Sequence, residues 1–273
     1  MFGRRDLLAG FGATLLPFRA HGARRGTGAE AAFVACCKTP DGRFGAAIIS
    51  DDLDILQVET LSPRGHDTAI SPDSKNAVVF PRRPGRFAVA NSGIITHPDY
   101  PRRKLNLATI APSISLIQME KGDVLETARL PEHLHHLSIR HMAEAGNGSL
   151  WFGGQYEGVA TDLVPLIGTY RRGEGIRLLD APDQLYRRMN QYVGSVAVST
   201  DGTRVATTGP RGGIALVWDV AKQVVETATR RSDVCGVSAS GKGFAMTDGG
   251  GSMTVSDRAW TYPIAFDNHL AAC

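Results

Sequence analysis

The chain has 273 residues, of which 42% are hydrophobic, 21% charged and 7% aromatic. That composition excludes wholesale disorder, collagen and a polytopic membrane protein. A formal charge of +3 is too small for a nucleic-acid binder, and 31 Gly beside 14 Pro imply many tight turns and short strands rather than a helical bundle.

Residues 1–23 read MFGRRDLLAGFGATLLPFRAHGA. Arg4 and Arg5 precede an apolar run broken by Gly10, Gly12 and Pro17. The run is shorter than the roughly 20 apolar residues a membrane helix needs. Small residues (Ala20, Gly22, Ala23) follow Arg19, as in a cleavage region. The pattern is that of a twin-arginine signal peptide, with residues 24–30 as a linker and 31–273 as the mature domain. The expected location is therefore the periplasm. Removal of residues 1–23 leaves 27 basic and 26 acidic side chains, so no charge bias is left to steer a polyanion. No later stretch is long enough to span a membrane. The remaining cysteines are Cys36, Cys37, Cys235 and Cys273, without a C-x-x-C, and read as small buried thiols in strands.

From residue 33 onward a unit recurs: an apolar strand, a polar turn and a second apolar strand. Copies lie at 33–50, 66–80, 140–154, 194–209 and 235–250, with turns at Asp41, Asp73, Asn147, Asp201 and Ser240. Asp-Gly and Asn-Gly supply the positive φ that hairpin turns need. Further strand–turn–strand units lie at 113–130, 165–181 and 213–228. Hairpin plus hairpin makes a four-stranded meander of about 40 residues, the size of one propeller blade. The fold expected is an all-β propeller of about six blades. A sandwich seldom repeats one unit so often. Trp218-Asp219 is expected to end a third strand, residues 184–192 to form a short helix or loop, and a strand from each end of the domain to share a closing blade.

Several segments are similar to a bacterial family of Tat-exported proteins with a domain of unknown function and a propeller fold. They are NSGIITHPDYPRRKLNL (91–107), HLSIRHMA (136–143), GGQYEG (153–158), YVGSVAVSTDG (192–202), GPRGGIALVWD (209–219) and DVCGV (233–237). The resemblance implies a place beside imelysin-type iron-uptake proteins. It also implies a longer chain: relatives carry a further blade, so one blade is missing or shortened after residue 80.

Candidate chemistry follows from the propeller geometry. The first strand of each blade lines the central channel, so residues aligned seven positions before the turns share a rim. These are His66, Arg140 and Gly194, with His136 and His141 near Arg140. A metal site built from His66, His136 and His141 would suit a transition metal, iron or copper. The long connection at 91–107 carries His97, Arg102, Arg103 and Lys104, which with Arg140 and Arg211 could meet an acidic partner or a carboxylate ligand. There is no G-x-S-x-G elbow and no P-loop. Three readings result. The first is a non-enzymatic accessory protein of iron acquisition with a periplasmic protein partner. The second is a metal- or small-ligand-binding propeller. The third is a propeller enzyme, lactonase- or dehydrogenase-like. Propeller lactonases hold a divalent cation with acidic and Asn side chains, where His, Arg and Gly align here.

Overall fold

The computed structural model describes residues 31–42, 44–50, 52–60, 76–79, 85–95, 104–118 and 120–272. The strands in chain order are β1 (Ala31–Lys38), β2 (Phe44–Ser50), β3 (Ile55–Thr60), β4 (Asn76–Val79) and β5 (Arg86–Asn91). Then come β6 (Ser113–Gln118), β7 (Val124–Arg129), β8 (Leu137–Glu144), β9 (Leu150–Tyr156), β10 (Ile167–Arg171) and β11 (Gly175–Leu178). After helix α1 (Asp183–Met189) follow β12 (Ser195–Val198), β13 (Arg204–Gly209), β14 (Ile214–Asp219) and β15 (Val224–Arg230). The last are β16 (Val234–Ser240), β17 (Gly243–Asp248), β18 (Ser252–Val255), β19 (Arg258–Thr261) and β20 (Ala265–Ala272).

They form four-stranded antiparallel sheets in the orders β20-β1-β2-β3, β4-β5-β6-β7, β8-β9-β10-β11, β12-β13-β14-β15 and β16-β17-β18-β19. Successive sheets meet through their first strands: β4 packs on β8, β8 on β12, β12 on β16 and β16 on β20. This is a β-propeller. Each expected hairpin whose two strands are described is present. The turns use the residues that the sequence marks for them, with Gly42, Gly148, Gly202 and Gly241 all at positive φ. In the β12–β13 turn, Asp201 Oδ1 accepts hydrogen bonds from the Ser199 hydroxyl (2.6 Å), the Thr203 hydroxyl (2.8 Å) and Thr203 N (3.0 Å). These bonds, the Ser199 hydroxyl's first, hold its carboxyl down at about 2. Trp218-Asp219 does end a third strand, and α1 fills the connection where a short helix or loop is expected.

Two features refine the sequence reading. Five four-stranded sheets lie among the described residues, where about six blades are expected. The unit at 66–80 does not supply a separate blade within those residues. Its second half, β4, pairs with β5 from Val79↔Ala88 to Asn76↔Asn91 and becomes the first strand of the sheet that β6 and β7 complete. The closing blade also forms, with β20 against β1 from Lys38↔Ala265 to Phe33↔Ala272. The C-terminal strand in it is Ala265–Ala272.

Apolar side chains fill the spaces between sheets. Between the third and fourth sheets Trp151 and Trp218 are fully buried, edge to face at 6.0 Å, with Leu137, Leu166, Met189 and Leu216 around them. Burial of each such side chain contributes about 1.5–3 kcal/mol. Cys235 and Cys37 lie with Phe33, Ile49 and Phe266 between the fifth and first sheets, both as buried free thiols. The expected structural role of the described thiols is met; the side chains of Cys36 and Cys273 lie outside the description.

This packing sets an alkaline limit. Burial pushes the Cys235 thiol from an ordinary 9.0 up to about 12 and raises the Tyr186 phenol above its ordinary 10.0. Tyr186 donates to the Leu179 carbonyl at 2.5 Å. In the unfolded chain these groups lose protons above about pH 9–10, while the fold keeps them protonated. The unfolded state then binds fewer protons, so stability falls as pH rises, by up to about 1.4 kcal/mol per group per pH unit. Urea unfolding at pH 8, 10 and 11 should show a loss that begins between pH 8 and 10 and steepens per pH unit from 10 to 11; a flat profile to pH 11 would contradict the burial.

Candidate functional site

One end of the sheets carries the connections that lead into the first strands and those that join second to third strands. Lys104, from the β5–β6 connection, forms an ion pair with Glu157, just after β9. The other oxygen of the same carboxylate lies 3.7 Å from the Arg140 guanidinium. Glu157 is fixed by its backbone, since its N–H donates to the His136 carbonyl at 2.9 Å. Arg140 occupies an irregularity in the β8–β9 ladder between Ile139 and His141, where one residue of β8 goes unpaired. Its Nε donates to the Ser138 hydroxyl (2.9 Å), which donates to the Ser92 carbonyl (3.1 Å). Burial lowers the Arg140 pKa and the Glu157 charge opposes that, so the guanidinium keeps its proton.

Beside this pair, Tyr192 bridges to Gln155 through the backbone and accepts from Asn268 Nδ2 at 3.0 Å. The Arg211 guanidinium sits 4.4 Å over the centre of its ring. Arg211 is carried on a tight turn whose Gly212 has no room for a side chain: a Cβ there would fall 1.4 Å from the Arg188 carbonyl oxygen. Arg188, Arg211, Arg230 and Arg231 border a cleft of about 360 Å³ with Asp233. Arg231 is committed elsewhere, to Asp248 at 2.8 Å. Arg188, Arg211 and Arg230 are exposed. Burial raises the Asp233 pKa, helped by the charges of Asp248 and Asp267. This end therefore gathers side chains that hold positive charge at every ordinary pH, with Glu157 shared between two of them.

The sequence candidates are only partly united. Lys104 and Arg140 come together, joined by Glu157, and Tyr192 links Arg211 to the same neighbourhood. His66, His97, Arg102 and Arg103 lie outside the described residues. His136 and His141 have different ring neighbours. His136 stacks at 3.9 Å on His135 and 6.1 Å from Tyr156, while buried His141 meets His269 of the closing strand at 5.4 Å. Among the described residues no group of three or more His, Cys, Asp and Glu side chains is placed to hold a metal ion. Sequence reasoning gave the 155–157 segment little weight and passed over Tyr192, Arg188 and Arg230. The one signal was the GGQYEG run at 153–158.

Substitution separates the two cation arrangements. Glu157→Gln removes the charge opposite two partly buried cations and should cost about 1–3 kcal/mol in urea unfolding. Arg211→Ala removes only an exposed cation–π contact and should cost at most about 1 kcal/mol. Equal losses would refute this account of the site.

Comparison with solved structures finds the virginiamycin B lyase from Staphylococcus aureus at 13% identity and TM-score 0.46, covering 85% of this chain and 71% of that one. Hsv2 from Kluyvelomyces marxianus matches at 14% identity and TM-score 0.39, over 77% of this chain and 57% of that one. The Kuenenia stuttgartiensis hydrazine synthase matches at 13% and 0.40, over 84% and 58%. The chain thus spans less than two thirds of the latter two. No curated protein matches. Residues 86–273 match the family described as "Protein of unknown function (DUF1513)", and the chain belongs to that family.

Proposed function

We propose that this propeller is a non-enzymatic, exported binding protein of a periplasmic iron-acquisition system, and that it receives an acidic protein partner on the end bearing Lys104, Arg140, Arg188, Arg211 and Arg230. The observation that carries the binding reading is the charge arrangement. Cations from separate connections converge there, held by one shared carboxylate and an aromatic ring. Permanently charged groups steer and orient an acidic surface but do not exchange protons near neutrality. Export rests on the Arg4-Arg5 pattern and its apolar run, and the iron context on the family resemblance. Among the described residues no helix is long and apolar enough to cross a membrane.

The test is co-purification after in-cell crosslinking, from the periplasm of iron-starved cells that express the full chain. One stoichiometric partner with an acidic surface should be recovered. Its yield should fall at least tenfold for the double variant Arg188→Glu, Arg211→Glu. Both positions are exposed, so the variant's thermal midpoint should stay close to that of the parent. Unchanged recovery by the variant would overturn the proposal. So would stoichiometric iron or copper in the purified protein that is lost in His141→Ala, which would establish the metal-binding reading in its place.

A further inference from the structure

The opposite end of the sheets holds a second cationic site that owes nothing to the face just described. A cavity of about 310 Å³ opens between the second and third sheets. Its walls come from the start of β5 (Arg86), the end of β8 (Glu144), the β8–β9 turn (Asn147) and the end of β10 (Tyr170, Arg171, with Arg172 following). Leu116 and Leu150, both buried, give it an apolar floor.

Tyr170 is the unusual member. It is 2% exposed, and its hydroxyl is buried with no hydrogen-bond partner. Buried phenols ordinarily find an acceptor, so one left without stands out. Burial pushes this phenol up to about 12, with the nearby Glu126 charge acting the same way and Arg172 and Arg86 acting against. The same two guanidiniums line the cavity. Glu126 lies beside the phenol and raises it through its charge and a side-chain contact, but the hydroxyl makes no hydrogen bond of ordinary geometry to it, and Glu126 Oε2 takes the Gly173 N–H at 3.0 Å. Arg171 is only loosely engaged, 3.4 Å from the Asn147 carbonyl and 3.8 Å from exposed Glu174. Glu144 has a partner of its own.

We propose that this cavity binds a small organic oxyanion, bearing carboxylate or phosphate groups. One oxygen would accept from the Tyr170 hydroxyl, the charge would be met by Arg86 and Arg172, and the carbon part would rest on Leu116 and Leu150. Each feature asks for part of that chemistry. An unpaired buried donor wants an acceptor, planar guanidiniums match carboxylate and phosphate oxygens, and an apolar floor favours an organic body over a bare inorganic ion.

Isothermal titration of the mature protein with citrate and, separately, with pyrophosphate tests this, with sodium chloride matched for ionic strength as the control. Saturable binding of citrate identifies carboxylate as the preferred source of the oxyanion; saturable binding of pyrophosphate identifies phosphate. Two variants locate the site. Tyr170→Phe keeps the ring and removes only the unpaired hydroxyl, so it should fold normally and weaken binding about tenfold. Arg86→Gln with Arg172→Gln should weaken it further, and the loss should shrink as salt is raised. No saturable binding of either probe would overturn the proposal, as would binding that both variants leave unchanged. Thermal midpoints without probe, expected to match the parent or rise for Tyr170→Phe, guard against a folding defect.

Discussion

The pairing of β20 with β1 is the constraint on which the molecule depends. A sheet of three strands from the start of the domain would expose the backbone donors and acceptors of β1 along a whole edge. The C-terminal strand satisfies them, from Lys38↔Ala265 to Phe33↔Ala272, with one irregularity between Ala35 and Cys37. It also brings Phe266 and Leu270 into the apolar layer that Cys235, Ala245 and Met253 share with the first sheet. Closure is thus hydrogen bonding and burial at once, and neither can be lost without the other.

The same strand sets two side-chain contacts beside the first strands. His269 meets the ring of His141 because β20 and β8 are both first strands of their sheets. Asn268, its neighbour, donates to Tyr192 and so fixes the ring on which Arg211 rests. A would-be Cβ at Gly194 would come within 2.8 Å of Asn268 Oδ1, so only glycine lets the entry to β12 approach so closely. The cationic end therefore leans on the closing strand, although none of its arginines belongs to the closing sheet.

How much of this was legible in the sequence divides along a physical line. Hairpins were legible because their signal is local: Asn147-Gly148 or Asp201-Gly202 between alternating strands states turn, φ and register within a dozen residues. The existence of closure followed from the need to cover an edge, but its register depends on pairing across more than 200 residues and was not. At the site, Lys104 and Arg140 were legible as cations on a long connection and a channel strand. Glu157, which joins them, stood out only as part of the GGQYEG run, and its pairing with Lys104, 53 residues away, was not legible. Arg140 and His141 were read as consecutive strand residues, whereas the irregularity at Arg140 turns its side chain toward Glu157 and leaves His141 facing His269. Tyr170 offered no signal at all. An aromatic residue in a strand reads as core, and only the structure shows that its hydroxyl was left without an acceptor.

That contrast explains why membership of a family, even a secure one, says so little about chemistry here. The groups that specify the fold are repeated: glycine turns, buried tryptophans between sheets, alternating apolar strands. The groups that could recognise anything are not repeated; each comes from a different connection and occurs once. At one end the cations come from the β5–β6 and β13–β14 connections, from the ends of α1 and β15 and from an irregular point in β8. At the other they come from the start of β5 and the end of β10. A repeat supplies a rigid frame on which such single residues converge without cost to the core, because turn residues at either end are free of the packing that holds the sheets. The recognition chemistry of this protein is therefore written in the departures from its repeat, and the unpaired hydroxyl of Tyr170 is such a departure.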